Sequence, residues 1–363
     1  MLIFGREILL RTLRFYLNCL CVILIAFDIY YIAVPVFCTL LFISPIMRIR
    51  FNLSQILLLL STICFLTSFL YFPEQLFLPN SIASLLKYIT FIIILYVVFK
   101  TNNHECANTI KIVFGASLLT RALIISLFSY LMQSGVGDIE FGYGRVYDPF
   151  IQQIVLSPKI ALLAVAGYLI ILSCSDIPNK YKILSAFILS LIVIYLQSRA
   201  AFFIFLLFIP FLGINKRYYM VLALILLIAL PIYYESLLHY IDSARLFSAG
   251  FESKRYMHWS DGIMKFIEYP MGGFSVNSSI ENVNFFHNII LDSARVNGIY
   301  STIFLLIAFV LIIKISLHNK KTVFVIGIIA LMLQDVVIEG NFLLFISMFV
   351  ISEFWLNREK SND

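Results

Sequence analysis

The stretch Ile56-Leu-Leu-Leu-Leu-Ser-Thr-Ile-Cys-Phe-Leu-Thr-Ser-Phe-Leu-Tyr-Phe72 contains no charged residue and does not alternate apolar with polar positions. A half-buried strand, or a strand of a membrane barrel, would alternate with a period of two. Coiled into a helix at ~1.5 Å per residue, such a run approaches the thickness of a ~30 Å hydrocarbon core. Apolar runs of this kind recur from end to end of the 363-residue chain, which is 61% hydrophobic and 13% charged and holds 35 phenylalanines. A soluble domain of this length needs about 25% charged residues to cover its surface. The sequence therefore predicts an all-α, polytopic membrane protein, a single transmembrane domain over 1–363.

Twelve transmembrane helices are expected, near 12–27, 30–46, 53–71, 83–99, 112–131, 159–174, 183–198, 200–213, 218–234, 298–314, 322–338 and 341–356. Threaded alternately, they place Arg6, Arg11 and Arg14, Arg48 and Arg50, Lys100 and Lys111, Lys180 and Lys182, Lys216 and Arg217, Lys314, Lys320 and Lys321, and Arg358 and Lys360 on one side. By the positive-inside rule that side is the cytoplasm, and both termini are expected there. The first helix is expected to act as the targeting signal, because a second apolar segment follows at once. The six cysteines fall within helices or near the cytoplasmic face on this map, so no outer-face disulfide is expected. The net charge of +6 is largely this topology signal and gives no reason to expect nucleic acid as a partner.

Two insertions face the other side. Ser134 to Pro158 carries Gly135, Gly137, Gly142 and Gly144 with Asp138, Glu140, Arg145 and Asp148; the glycines are too irregular for a phosphate-cradling P-loop, and a flexible rim or lid is the plain reading. The second is a large loop, 235–297, inserted before the tenth transmembrane helix. Within it Tyr256, Ile263 and Ile267 recur near helical spacing among charges, which predicts an amphipathic helix in the interface over Arg255 to Glu268. Glu268-Tyr-Pro-Met-Gly-Gly breaks it. Phe286 to Asn297 reads as another amphipathic helix, with Asn288, Asp292 and Arg295 on one polar stripe and His287 at its border.

The candidates for chemistry are mostly cations. Arg121 sits near the middle of segment five, where a charge is costly; it contacts an anionic ligand, or it is a staple to a carboxylate such as Asp335 or Glu339 or to helix-end carbonyls. Arg199, at a tight outer turn, either snorkels to headgroups or holds phosphate by forked hydrogen bonds. Arg245, Lys254 and Arg255 form a cationic group suited to anionic headgroups or to a diphosphate-bearing lipid. An unperturbed imidazole titrates near neutrality, so His287 is a candidate to accept a hydroxyl proton. The outer histidines His239, His258 and His287 match no zinc-ligand spacing, Asp28 and the Asp138-Ile-Glu140 pair are only a faint hint of a metal, and no Gly-x-Ser-x-Gly elbow supports Ser/His/Asp hydrolysis.

Gln197-Ser-Arg-Ala-Ala at the head of a helix, Arg255-x-x-x-Trp259, Tyr269-Pro-Met-Gly-Gly and His287-Asn-x-x-Leu with Gly298 downstream resemble, in order and spacing, the O-antigen polymerase and O-antigen ligase superfamily. These are metal-independent bacterial inner-membrane glycosyltransferases of the C-type class. The ordered motifs cover about Leu196 to Tyr300, and the family more often separates the turn glycines by one residue. The resemblance implies that Arg199 and Arg255 contact an undecaprenyl diphosphate donor, that His287 activates or positions the acceptor hydroxyl, and that no cofactor is used. It implies as partners the undecaprenyl-diphosphate-linked oligosaccharide, membrane lipids and a chain-length regulator protein. Arg121, Arg245, Lys254, Asn288 and Arg295 complete the expected substrate-binding set. Polymerisation of repeat units, ligation of glycan to the lipid A core, and export of the lipid-linked unit by a flippase are the functions to be separated.

Overall fold

The computed structural model describes residues 2–43, 52–68, 81–102, 104–132, 145–213, 254–277, 285–335 and 338–355. Among these, twelve α-helices dominate: α1 (Leu2–Ala26), α2 (Tyr30–Ile43), α3 (Leu53–Ser68), α4 (Ser81–Lys100), α5 (His104–Met132), α6 (Ser157–Ser173), α7 (Asn179–Leu196), α8 (Arg199–Phe208), α9 (Lys254–Glu268), α10 (Ile289–His318), α11 (Thr322–Asp335) and α12 (Ile338–Ser352). Eleven of the expected segments coincide with helices; the ninth, 218–234, lies outside the described residues, as do Arg245 and His239.

Among the described residues, four helices are long and apolar enough to cross a membrane: Leu9–Ala26 of α1, Glu105–Met132 of α5, α7 and α10. The apolar helices α2, α3, α6, α8, α11 and α12 are shorter, and local chemistry explains the clearest case. The eighth segment was expected over 200–213, but α8 ends at Phe208, because Pro210 tightens Ile209–Leu212 into a 3-10 turn that Gly213 closes in the left-handed region at φ 68°. The all-α expectation also needs a correction. Arg145–Asp148 and Gln153–Leu156, expected as part of a flexible rim, pair as an antiparallel β-hairpin that packs on α5 and α6.

The core is organised by α6, which is buried on nearly every face, as a helix without a polar side must be. It packs against α5, α7, α8, α11 and α12. Its contact with α5 depends on small residues: a Cβ on Gly167 would stand 2.5 Å from the Gly115 carbonyl, and one on Gly115 would stand 2.9 Å from the Gly167 carbonyl. Between apolar helices in lipid, where water does not drive association, such backbone approach supplies the packing energy.

Helix ends meet in two layers. At one end Lys111 pairs with Glu353, Lys321 donates to the Ser173 carbonyl, Asn319 to Ser352, Gln55 to Phe354, and Asn179 to the Gly213 carbonyl at 2.9 Å. Burial lowers the Lys321 ammonium from its usual pKa, with Lys111 adding repulsion that Glu353 opposes. Lys100, which donates to the Trp355 carbonyl, Lys111 and Lys321, all assigned to one side by alternate threading, thus meet at one end of the bundle. The hairpin, the α1–α2 turn, the start of α8 and the start of α10 lie toward the other.

If the α5–α6 contact is limited by backbone approach, Gly167→Leu will lower the thermal unfolding midpoint in detergent, with an overpacking penalty of about 1–3 kcal/mol. Ala116→Val, one residue along on an exposed face of α5, will leave it nearly unchanged.

Candidate functional site

The site is built from α9, the turn that follows it, and the first three turns of α10. It begins with a broken helix. Asn297 (φ −128°, ψ 17°) and Gly298 (φ 59°, ψ −140°) leave helical geometry inside α10. In an intact helix the Ile299 N–H would donate to the Arg295 carbonyl four residues back. Here Ile299 N–H donates to the Pro270 carbonyl at 2.8 Å, and the Arg295 carbonyl accepts from Gly273 N–H at 2.8 Å. The Tyr269-Pro-Met-Gly-Gly turn therefore satisfies both halves of the missing bond, as buried backbone groups require.

That insertion demands glycine on both sides. A Cβ on Gly298 would run into the Pro270 carbonyl oxygen, and one on Gly272 would stand 2.5 Å from the Gly298 nitrogen and 2.8 Å from the Val296 carbonyl. Gly272 and Gly273 both have left-handed φ, 85° and 81°. Adjacent glycines, rather than glycines one residue apart, suit this turn. The Tyr269 hydroxyl is hydrogen-bonded to Glu268, whose carboxylate raises the phenol above its usual pKa.

Upstream of the kink, α10 starts at a well-made cap. Asn288 is extended, and its Oδ1 accepts from Ile290 N–H at 3.0 Å and Leu291 N–H at 3.3 Å, while its Nδ2 donates to the Leu333 carbonyl of α11 at 3.0 Å. Its amide is thus committed to capping and to tying α10 to α11. Sequence reasoning assigned Asn288 to substrate; the structure gives that side chain a scaffold role.

His287, just before the cap, is half-buried and sits at φ 55°, with its ring edge-on to Phe285 at 4.4 Å between centroids. A left-handed histidine must be held from both sides. Asp292, 2% exposed, does so: its Oδ1 accepts from Phe286 N–H at 2.8 Å and its Oδ2 from Asn288 N–H at 3.3 Å, the two amides flanking the histidine. Between them, the Phe286 carbonyl accepts from Trp259 Nε1 of α9 at 2.9 Å. Arg295, 5% exposed, lies with Nε 3.7 Å from Asp292 Oδ1 on the same buried face. The polar stripe of α10 is therefore turned inward.

Trp259 also seats α9 on α10, in a small core of Phe274, Phe286, Leu291 and Ala294 joined by Phe266 and Val276. Arg255 is one helical turn before Trp259 on the same face, partly exposed, and so is directed toward the side on which Phe286 and His287 lie. Lys254 opens α9. His258 is fully buried.

Arg199 is the first residue of α8, after left-handed Gln197 (φ 49°) and extended Ser198, whose hydroxyl is buried with no hydrogen-bond partner among the described residues. The other end of α8 meets α11, with Phe208 on Phe324 and Gly327. From there about 14 Å of α8 lead to Arg199 and about 14 Å of α11 lead to Leu333, the residue tied to Asn288. Arg199 thus belongs to the same end of the bundle as His287, while the packing of α8 is with α6, α7 and α11.

Arg121 is placed elsewhere. It is 1% exposed, donates from one amino group to Asp148 Oδ2 at 2.8 Å and from the other to the Ala26 carbonyl at 3.1 Å. It staples α5 to the hairpin and to the end of α1, with Asp148 as its carboxylate partner; the side chains of Asp335 and Glu339 lie outside the described residues. Asp28, the faint metal hint, pairs with Lys87 at 2.5 Å.

Set against known proteins, the chain matches no protein-family model and no curated protein.

Two outcomes follow from this geometry. Gly298→Ala will speed amide hydrogen exchange at Gly273 and Ile299, since a side chain at this backbone geometry adds ~1–3 kcal/mol of strain. Arg121→Met will destabilise the fold by about 3–5 kcal/mol because it leaves Asp148 charged and unpaired, and adding Asp148→Asn will restore most of the loss in thermal unfolding.

Proposed function

We propose that this chain is an O-antigen polymerase: a bacterial inner-membrane glycosyltransferase that joins undecaprenyl-diphosphate-linked repeat units at the outer face. It would span the membrane twelve times, with both termini in the cytoplasm and 235–297 as a periplasmic loop. The observation that carries this reading is the way the separated motifs fold onto one another. Trp259 of Arg255-x-x-x-Trp holds the backbone beside His287, and the Tyr269–Gly273 turn is built into the kink at Gly298. Residues with no local reason to be near each other thus converge on the backbone that presents His287, with Arg255 one helical turn before Trp259.

In the proposed reaction the acceptor sugar hydroxyl attacks the anomeric carbon of the donor glycan. The bond from that carbon to the diphosphate oxygen breaks, and undecaprenyl diphosphate leaves with the bonding pair. His287 takes the hydroxyl proton. Arg255 and Arg199 offset the charge that builds on the departing diphosphate, the kind of contribution that is usually large when the donors are held in place beforehand. Asp292 acts as a positioning residue by clamping the amides on both sides of His287. Lys254, Arg245 and Arg295 add to the positive field around the diphosphate.

The test is extension of synthetic undecaprenyl-diphosphate repeat units by purified protein, read as a ladder of products. His287→Ala is expected to slow the ladder by about 10²–10⁴-fold, and Arg255→Ala by about 10²–10³-fold. A ladder untouched by both changes would sink the assignment. A single transfer to lipid A core would select the ligase, and passage of intact lipid-linked units across vesicles with no new glycosidic bond would select a transporter.

A further inference from the structure

Helix α9 has three sectors, and only two are accounted for inside the protein. His258 and Gly262 are buried, and with Trp259 and Phe266 they form the face packed on α10. The next sector is a charged edge, where Lys265 pairs with Asp261 at 3.1 Å and reaches the Ser275 carbonyl at 2.8 Å, with Glu268 alongside. The third holds Tyr256, Met257, Ile263, Met264 and Ile267, which are 51–71% exposed. Five large apolar side chains on one short helix form a patch that water does not favour.

What covers the patch is indicated by what it joins. Tyr269 and Met271 carry the exposed apolar surface past the end of α9. The Pro270–Ile299 hydrogen bond then ties it to the head of the exposed stripe Tyr300, Ile303, Ile307 and Val310 on α10. That stripe belongs to a helix long and apolar enough to cross a membrane. We infer that α9 lies in the bilayer interface with its Tyr256, Met257, Ile263, Met264 and Ile267 face among the acyl chains, and its Asp261, Lys265 and Glu268 edge at the headgroups. An amphipathic helix with this division of faces lies in the plane of the interface.

The seat has a consequence that rests on the glycosyltransferase reading. The opposite face of α9 carries Arg255 and Trp259, so embedding the helix sets Arg255 and His287 at phosphate depth. A lipid diphosphate arriving within the leaflet would then meet these groups without leaving the membrane.

The experiment uses the full-length protein in phosphatidylethanolamine and phosphatidylglycerol vesicles. The photo-reactive residue p-benzoylphenylalanine replaces Met264, Ile267 or, as a control off the face, Ser275, and adducts are read by mass spectrometry. Phospholipid adducts severalfold more abundant at 264 and 267 than at 275 are expected. Equal adducts at all three positions, no lipid adduct at 264 and 267, or cross-links from these positions to a second copy of the chain would each overturn the interfacial seat. The readout does not require turnover, so a failed ladder beside strong lipid adducts would reject the enzyme reading alone, and the converse would reject the seat alone.

Discussion

One missing helical hydrogen bond organises the candidate site. Where Ile299 N–H should meet the Arg295 carbonyl, α10 opens, and the turn after α9 fills both vacated positions through Pro270 and Gly273. The Arg295 carbonyl, on a residue only 5% exposed, could not be left without a donor, because an orphaned buried backbone group costs about as much as the helix gains from several packed methylenes. The kink and the turn therefore exist only together. Because α9 precedes the turn and His287 lies about three turns before the kink, this exchange also sets where Trp259 and Arg255 stand relative to the histidine. It could form only where neither side carries a Cβ, which accounts for Gly272 and Gly298.

From that exchange the rest of the site follows in order. The small core of Phe274, Phe286, Leu291 and Ala294 closes α9 on α10. Trp259 and Asp292 then grip the chain on either side of His287, and Asn288 anchors the same segment to α11. Three side chains are thus committed to presenting one. A histidine held in the left-handed region by this many contacts is preorganised, a feature that catalytic groups share because geometry fixed beforehand lowers the barrier to reaction. The cations are less tightly tied to it: Arg199 heads α8 at the same end of the bundle, and that helix packs on α6, α7 and α11.

Much of this was legible in the sequence, for physical reasons. Apolar runs announce helices because a chain in lipid must satisfy its backbone internally, and eleven expected segments fall on helices. The helix at 254–268 was visible in its periodicity, and the converging motifs in their order. Other features were not. The hairpin at 145–156 is held by Asp148 answering Arg121, a partnership between residues 27 apart that no local pattern encodes. Asn288 looked like a binding group because a polar residue beside a histidine does; its position directly before Ile289-Ile-Leu, where an N-cap belongs, was the overlooked signal. The inward turn of Asp292 and Arg295 was hidden because the stripe that marks a solvated face also marks a buried polar network. The break at Gly298 falls on the expected boundary between the helix ending at Asn297 and the segment starting at 298, where a lone glycine in a helical pattern is a warning; that the Tyr269–Gly273 turn fills it was not visible.

The central claim is that these residues make a glycosidic bond at the expense of a lipid diphosphate, without a nucleotide or a metal. The most direct measurement is the balance sheet of a single round: wild-type protein in chelator-treated vesicles with one defined lipid-linked repeat unit, both products quantified by mass spectrometry. The account predicts one free undecaprenyl diphosphate for every new glycosidic bond, with the doubled glycan on a single carrier. Intact carriers in unchanged amount, or extended glycan without release of undecaprenyl diphosphate, would contradict it.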